Sequence, residues 1–439
     1  MRRAALPLLM CLLTMMSVFL SIPAAAAGGE TPDTSRANAV YLYNLENDCV
    51  LVEKNTDHVI FPASTVKIMT GLLAVEALQG RMSETVTVTQ AMVDSAVGFR
   101  MYLNGGETVT VEQMLYAGIC AGYNDACVVL AYLVAGSVDA FVAQMNARAA
   151  QLGMENTVYT NPTGMHDSRM VTTIVDTAEL ALIAMENETY MTIVSTVKYT
   201  MAANNLAPAR TFYNRNAMIA RNTTSRYYNT YATGMNAGTT TEGGYCVVAS
   251  AADDGLRYLC TVMGADEDTE EQGGTIYSYR IANDLLDYAI KGFDMVSILD
   301  TETAMATVSV GLTEQQTEIA LVPQRAVTAY LPTDLDTATD LTYRVMLSEQ
   351  TVNAPVFAGE VLGFVTVSYG DALLATVNLC AAEDVEQSAF LAGLDRISSY
   401  TTSRRFLITC VYAVLLLLGY FVLLPLWRKQ KNRKRAKYF

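Results

Sequence analysis

Histidine and tryptophan are nearly absent from this chain, whose 439 residues include two His and one Trp. The two histidines, His58 and His166, are too few for the usual ligand sets of zinc, and the eight cysteines contain no Cys-x-x-Cys pair. We therefore interpret both histidines as loop residues without a catalytic role. The sequence predicts neither a metal site nor an organic cofactor.

Charge is also scarce, at 17% of residues, and basic residues are fewer than acidic ones, 29 against 44. Arg2, Arg3 and a cluster within 428–439 hold many of the basic residues, so the body is more acidic than the net charge of −15 suggests. An acidic body repels phosphate backbones, which excludes nucleic-acid binding. The hydrophobic content of 51% suffices for two or three domains with their own cores.

Both ends of the chain have the pattern of targeting segments. Residues 1–27 combine two arginines, an apolar run and a small-residue end, which predicts a secretory signal peptide, with an uncleaved anchor helix as the alternative. Residues 406–427 carry no charge and are long enough to cross a bilayer. The basic tail 428–439 then favours a cytoplasmic end, with the body outside a single-pass cell-membrane anchor.

Six cysteines lie between the two predicted targeting segments, and export would permit disulfides among them. Buried free thiols are the alternative, and the spacing leaves both open. These cysteines are Cys49, Cys120, Cys127, Cys246, Cys260 and Cys380.

The pattern of predicted secondary structure divides the body into a mixed α/β region, 30–292, and a strand-rich region, 293–385. A linker, 386–405, connects the strand-rich region to the predicted membrane helix. Strands at both ends and helices in the middle of the first region predict an α/β sandwich, and the second region predicts a small all-β domain. The expected strands of the first region are 39–52 (a hairpin), 84–89, 245–251 and 256–263, and its expected helices are 64–78, 111–133, 137–152, 176–186 and 277–290.

The tetrapeptide Ser-Thr-Val-Lys occurs twice, at Ser64–Lys67 and at Ser195–Lys198. On a helix, residues i and i+3 share a face, so the Lys amine can take the proton of the Ser hydroxyl. On a strand, they point to opposite faces. Ser64 opens an apolar helix, whereas residues 191–201 are rich in β-branched and aromatic side chains and predict a strand. Ser64 is therefore the candidate nucleophile and Lys67 the candidate base.

The context of Ser64 resembles that of a known family. The run from Phe61 to Gly71 resembles the first motif of the serine-type D-alanyl-D-alanine carboxypeptidases, which are low-molecular-weight penicillin-binding proteins. Residues 161–165 resemble the Asn-Pro-x-Gly-Leu segment of that family, and 243–251 resemble the strand after its third motif. Residues 354–363 resemble the β domain that follows the catalytic domain in many members.

The resemblance implies an acyl-enzyme mechanism. Ser64, deprotonated by Lys67, would attack the penultimate D-Ala carbonyl of a peptidoglycan stem peptide, D-Ala would leave, and water would complete hydrolysis. Asn124 matches the Asn of the second motif and is the third catalytic candidate. The family also implies β-lactams as ligands.

Two motifs depart from the family pattern. Gly122 stands where the second motif, Ser-x-Asn, has its Ser, so a hydroxyl that would relay a proton to the leaving amine is missing. Asn236, Ala237 and Gly238 stand where the third motif has Lys-Thr-Gly, so the cation and hydroxyl that bind the substrate carboxylate are missing. We keep Gly122, Asn236 and Gly238 as substrate-binding candidates.

These departures leave several hypotheses. Arg221 or Arg226 could replace the missing lysine. The protein could instead be a non-catalytic peptidoglycan-binding or scaffold protein on the same fold. A β-lactamase would need a second carboxylate to activate water for deacylation, and the sequence identifies none.

Overall fold

A computed structural model describes residues 30–220, 225–269, 273–314 and 317–435, and only the backbone of 431–435. The predicted signal peptide, Arg221 and the end of the basic tail lie outside these ranges. The chain forms two compact units. The first runs to Val296 and takes in Tyr330–Asp336, and the second comprises Ser297–Ala329 and the chain from Thr337 onward.

The first unit is built on a five-stranded antiparallel sheet. In order across the sheet, its strands are β2 (Cys49–Lys54), β1 (Ala39–Asn44), β9 (Leu256–Ala265), β8 (Gly244–Asp253) and β7 (Ala232–Thr240). Its central strands are buried almost throughout, because helices cover both faces. Short strand pairs, β3 with β4 and β5 with β6, lie outside this sheet. The strands are β1 (Ala39–Asn44), β2 (Cys49–Lys54), β3 (Thr85–Thr87), β4 (Thr108–Thr110), β5 (Lys198–Met201), β6 (Arg210–Tyr213), β7 (Ala232–Thr240), β8 (Gly244–Asp253) and β9 (Leu256–Ala265).

The helices form two layers. Helix α1 (Lys67–Leu78) is buried nearly all round at the centre of the larger layer, because it is apolar on every side. Helix α8 (Tyr277–Gly292) covers the other face of the sheet with an apolar stripe that includes Ile281, Leu285 and Ala289. The helices of the first unit are α1 (Lys67–Leu78), α2 (Gln90–Asp94), α3 (Val111–Leu115), α4 (Asn124–Ala135), α5 (Val138–Gln151), α6 (Ile174–Met185), α7 (Glu188–Val194) and α8 (Tyr277–Gly292).

Two local predictions were wrong. The expected helix 111–133 is broken, because the backbone widens into a π turn at Tyr116–Cys120 and then reverses at Gly122, whose φ is +79°. The expected strand 191–201 is helical up to Val194 and becomes a strand only at Lys198. The Asn187 side chain caps the start of this helix by accepting a hydrogen bond from the Tyr190 amide.

The second unit contains a six-stranded sheet in the order β14-β16-β17-β12-β11-β15. One helix of this unit, α10, is long and apolar enough over Arg404–Gln430 to cross a membrane. The predicted order of α/β region, β region and apolar C-terminal helix is what the structure has. The remaining elements are β10 (Phe293–Leu299), β11 (Ala306–Gly311), β12 (Glu318–Pro323), β13 (Val327–Pro332), β14 (Leu341–Leu347), β15 (Thr351–Asn353), β16 (Val361–Tyr369), β17 (Ala372–Ala381), α9 (Ala389–Thr401) and α10 (Arg404–Arg435).

No disulfide bond joins the cysteines in the described ranges. Six are buried and Cys410, on α10, is exposed. Burial raises the pKa of the Cys127 thiol, which packs near Lys67, to about 11, so this thiol is protonated at neutral pH.

Candidate active site

Ser64 lies in a single 3₁₀ turn, Ala63–Val66, that leads directly into α1. The Thr65 hydroxyl donates to the Pro62 carbonyl at 2.7 Å and ties the turn to the residue that precedes it. Ala63 has φ +48°, a left-handed conformation that a non-glycine residue adopts only when its surroundings enforce it. The nucleophile candidate is thus held on a constrained turn.

Lys67 is 2% exposed, and its ammonium has two hydrogen-bond partners. Nζ lies 3.1 Å from Ser64 Oγ and donates to the Thr163 carbonyl at 2.7 Å. Burial, with a smaller contribution from the Arg215 cation, lowers the pKa of Lys67 to about 8. A substantial fraction of this amine is neutral near physiological pH, in reach of the Ser64 hydroxyl proton.

The loop at 161–165 supports this pair from the opposite side. The Asn161 carboxamide oxygen accepts from the amides of Thr163 and Gly164, at 3.1 and 2.9 Å, and fixes the loop. A Cβ on Gly164 would lie 1.9 Å from the Ala63 carbonyl oxygen, and Gly164 has φ +79°. Only glycine therefore lets this loop approach the turn that carries Ser64.

Asn124 begins α4 and is 3% exposed. Its Nδ2 donates to the Val97 carbonyl at 2.7 Å, and its Oδ1 has no hydrogen-bond partner in the described part of the chain. Gly122 lies beside it, and a Cβ there would stand 3.5 Å from Arg215 Cγ. The position of the missing hydroxyl is therefore adjacent to the stem of an arginine.

The third motif forms part of β7. Gly238 abuts the nucleophile, because a Cβ there would lie 2.3 Å from Ser64 Cβ and 2.7 Å from its Oγ. Asn236, two residues earlier on the same strand face, is 2% exposed and its Oδ1 has no partner among the described residues. Gly238 thus lies against Ser64, but neither Gly238 nor Asn236 is among the residues that line the cavity at Ser64.

A cavity of about 120 Å³ joins most of these groups. Sequence reasoning missed two of its lining side chains, Phe99 and Arg215, of which Arg215 is the more consequential. The Arg215 amide donates to the Cys120 carbonyl at 2.8 Å, which holds this residue beside the second motif, and its guanidinium lies 5.1 Å from the centre of the Phe99 ring. The lining residues are Ser64, Lys67, Phe99, Gly122, Asn124, Thr163, Gly164, Met165, Arg215, Ala237, Thr239 and Thr240.

The other expected cations do not line this cavity in the described part of the chain. Arg226 donates to the Gly273 carbonyl at 2.8 Å and to that of Gly274, so the proposal that it replaces the third-motif lysine was wrong. Arg221 lies outside the described residues. Arg210 pairs with the fully buried Glu107 at 2.5 Å. Arg215 and Lys67 are thus the cations that the described residues contribute to the cavity.

The second Ser-Thr-Val-Lys copy forms no such site. Ser195 directly follows α7, and its hydroxyl donates to the Thr192 carbonyl at 3.3 Å. Lys198 begins β5, and its Nζ lies 5.9 Å from the centre of the Tyr213 ring. Both residues are exposed. Within the described ranges, no three His, Cys, Asp or Glu side chains lie close enough together to hold a metal ion.

Family comparison agrees with this geometry. The sequence model of the D-alanyl-D-alanine carboxypeptidase family matches residues 26–267, and that of the C-terminal domain of penicillin-binding protein 5 matches residues 293–387. The first match takes in Ser64, Lys67, Asn124 and the β7 positions, and it covers more than half of the chain.

Similar proteins extend along nearly the whole chain. D-alanyl-D-alanine carboxypeptidase DacF of Bacillus subtilis is 27% identical over 396 residues, which cover 89% of this chain and 97% of the relative. D-alanyl-D-alanine carboxypeptidase DacC of Escherichia coli is 28% identical over 388 residues, which cover 85% of this chain and 90% of the relative. The crystal structure of penicillin-binding protein 5 from Haemophilus influenzae shares the fold, with a TM-score of 0.57 at 24% identity over 82% of this chain and all of that one.

The expected resemblance is confirmed by the first family match, which spans the segments carrying the candidate nucleophile and its neighbours. The chain belongs to the D-alanyl-D-alanine carboxypeptidase family, the serine-type low-molecular-weight penicillin-binding proteins.

Proposed function

We propose that this protein is a membrane-anchored D-Ala-D-Ala carboxypeptidase that trims peptidoglycan stem peptides through an acyl-enzyme on Ser64. One observation carries the proposal: the buried Lys67 amine lies 3.1 Å from Ser64 Oγ in a cavity at the end of β7. A nucleophile and base in hydrogen-bond contact are the requirement for this chemistry. The family and its named relatives supply the substrate class.

The reaction begins with a neutral Lys67. Its amine takes the Ser64 proton while Ser64 Oγ attacks the carbonyl of the penultimate D-Ala, and the C–N bond to the terminal D-Ala breaks. The leaving amine receives a proton, D-Ala departs, and a water molecule cleaves the ester to regenerate Ser64. Because Gly122 offers no hydroxyl, we assign the return of that proton to Lys67, which is protonated after the first step.

Arg215 compensates, in this proposal, for the missing lysine of the third motif. The terminal carboxylate of the substrate needs a cation, and Arg215 lines the cavity beside Gly122. None of the ion pairs among the described residues includes Arg215, so its guanidinium is available for a carboxylate. Asn124 Oδ1, also without a partner there, would accept from a substrate amide.

The membrane arrangement is the second part of the proposal. The span Arg404–Gln430 anchors the chain, 1–27 direct its export, and the basic residues after 427 keep the tail in the cytoplasm. The catalytic domain, 30–292, and the β domain, 293–385, then lie outside the cytoplasm, connected to the span by 386–405. The substrate polymer is outside the membrane as well, which makes this arrangement consistent with the activity.

The test is covalent labelling by a fluorescent penicillin, a β-lactam that acylates family members through the same serine. The full chain in detergent is incubated with the probe, digested, and the modified peptide is identified by mass. We expect one adduct, on the peptide containing Ser64, which Ser64→Ala abolishes and Ser195→Ala, in the second Ser-Thr-Val-Lys copy, leaves intact. No adduct on folded protein, or an adduct that persists in Ser64→Ala, would favour a non-catalytic binding protein on this fold.

A further inference from the structure

A second cavity lies in the first unit, between the loop 225–231 and helix α8. Its volume of about 580 Å³ is within the roughly 300–1,000 Å³ that small-molecule sites occupy. It shares no lining residue with the cavity at Ser64. Tyr231, in its wall, precedes Gly238 by seven residues of mostly extended strand, or about 23 Å. The two cavities are therefore separate, and β7 connects them.

One wall of this cavity is aromatic. Tyr227, Tyr228 and Tyr231 line it, and the first is held firmly in place. The Tyr227 hydroxyl accepts from the Ile276 amide at 2.7 Å, and its ring stacks on that of Tyr279 at 5.0 Å between centres. The wall is thus built before any ligand arrives, which lowers the entropic cost of binding.

The facing wall is a charged stripe on α8. Arg280, Asp284, Asp287 and Lys291 recur at helical spacing and line the same cavity. Lys291 Nζ lies 2.7 Å from Asp287 and Arg280 Nε lies 3.8 Å from Asp284. Each cation therefore already faces a carboxylate within the stripe.

The charge balance indicates the class of ligand. A polyanion would gain little, because the two cations of α8 are offset by the aspartates beside them. The third cation of the lining, Arg226, already donates to the carbonyls of Gly273 and Gly274. An uncharged ligand rich in hydroxyl and amide groups can use the carboxylates as acceptors and the guanidinium as a donor at once. Sugar rings add C–H faces that pack on tyrosine rings, each of which presents an apolar face beside a polar hydroxyl.

We infer that this cavity binds saccharide rings and acts as a site for the glycan strand of the polymer whose stem peptides reach Ser64. The identity of that polymer rests on the proposed function, whereas saccharide binding itself does not. Such a site would hold the substrate by its sugar backbone while the peptide extends along β7. Affinity would then be higher for glycan-linked peptides than for free ones.

The test measures binding and activity separately, on the full chain in lipid nanodiscs. The binding probe is a peptide-free tetrasaccharide prepared from peptidoglycan glycan strands, titrated by calorimetry. The activity probe is a sugar-free pentapeptide ending in D-Ala-D-Ala. The variants are Tyr228→Ala and Asp284→Asn, and the matched control is Glu155→Gln, an exposed carboxylate in a turn of the same unit.

We expect the tetrasaccharide to bind, Tyr228→Ala and Asp284→Asn to weaken that binding at least tenfold, and Glu155→Gln to leave it unchanged. D-Ala release from the sugar-free pentapeptide should be equal in all four proteins. Absence of tetrasaccharide binding, or binding that neither variant weakens, overturns the glycan site. Absence of D-Ala release with intact tetrasaccharide binding overturns the proposed function and leaves the saccharide site standing.

Discussion

Two copies of one tetrapeptide show how residue chemistry depends on local backbone in this chain. In Ser64–Lys67, the turn and the first residue of α1 bring Nζ to 3.1 Å from Oγ. In Ser195–Lys198, a helix end followed by a strand separates the same side chains. The pair at Ser64 could be predicted because spacing on a helix decides it. The lowered pKa of Lys67 could not, since it depends on burial by distant segments.

The pKa of Lys67 leads to a pH prediction. The neutral amine is the reactive form, and with a pKa of about 8 its fraction rises from roughly a tenth at pH 7 to nearly all at pH 9. We expect the acylation rate of labelled penicillin to rise with pH and level off above about 8. Stopped-flow fluorescence between pH 6 and 10 measures it. A rate that keeps rising towards the ordinary lysine pKa would show that Lys67 is not perturbed as described.

Arg215 shows where residue-level reasoning from sequence fails. Arg221 and Arg226, which lie nearer to the third motif along the chain, were the predicted replacement cations. Arg215 follows β6. It is held at the site by the hydrogen bond that its backbone amide donates to the Cys120 carbonyl, a contact between residues far apart in sequence. No spacing rule predicts such a contact.

Replacing Arg215 tests its role in carboxylate binding. Losing a charge-assisted hydrogen bond costs about 1.5–3 kcal/mol, or roughly 10- to 150-fold in kcat/KM. We expect Arg215→Gln to lose that much on a peptide with a free terminal carboxylate and little on the same peptide ending in an amide. Arg226→Gln, whose guanidinium binds backbone carbonyls elsewhere, is the control. Equal losses on both peptides would indicate a structural role instead.

At the scale of elements, the site depends on how closely β7 and the loop at 161–165 approach the turn that carries Ser64. Gly238 and Gly164 permit that approach, because a side chain at either would meet the turn. The strands and most helices follow from apolar periodicity, which the packing of the sheet then enforces. The break at Gly122 does not, since an apolar run continues through the π turn and periodicity records no interruption.

Gly238→Ala tests this close packing. The new Cβ would stand 2.3 Å from Ser64 Cβ, so either β7 or the turn must move. We expect penicillin labelling to fall by more than 100-fold and unfolding free energy to fall by about 1–3 kcal/mol. Gly80→Ala, where no atom lies within 4 Å of the added Cβ, is the matched control. Unchanged labelling in Gly238→Ala would show that Ser64 does not need this contact.

In the whole molecule, the first unit contains the five-stranded sheet and both cavities, and the second contains the six-stranded sheet and the apolar helix. Each unit has its own sheet. The proposed anchor belongs to the second unit and the proposed catalytic groups belong to the first, so we expect removal of α10 to leave the catalytic groups unaltered. Composition sufficed to predict α10, because a charge-free stretch of this length has few other uses.

A truncation tests the anchoring role of α10. We expect a chain that stops at Ser403 to leave the membrane fraction while the full chain resists extraction by alkaline carbonate. The reason is that Arg404–Gln430 is the one single helix in the described part of the chain that meets the length and apolarity requirement for crossing a bilayer. Immunoblots of membrane and soluble fractions measure the distribution. Membrane retention of the truncated chain would assign anchoring to another segment.

The central claim is that Ser64 and Lys67 hydrolyse a D-Ala-D-Ala bond although the second and third motifs are altered. The most direct measurement is D-Ala release from a pentapeptide muropeptide by the full chain, compared with Ser64→Ala under the same conditions. We expect release by the wild-type protein and none above background from Ser64→Ala. Release at the same rate from both proteins, or none from a wild-type protein shown to be folded, would contradict it.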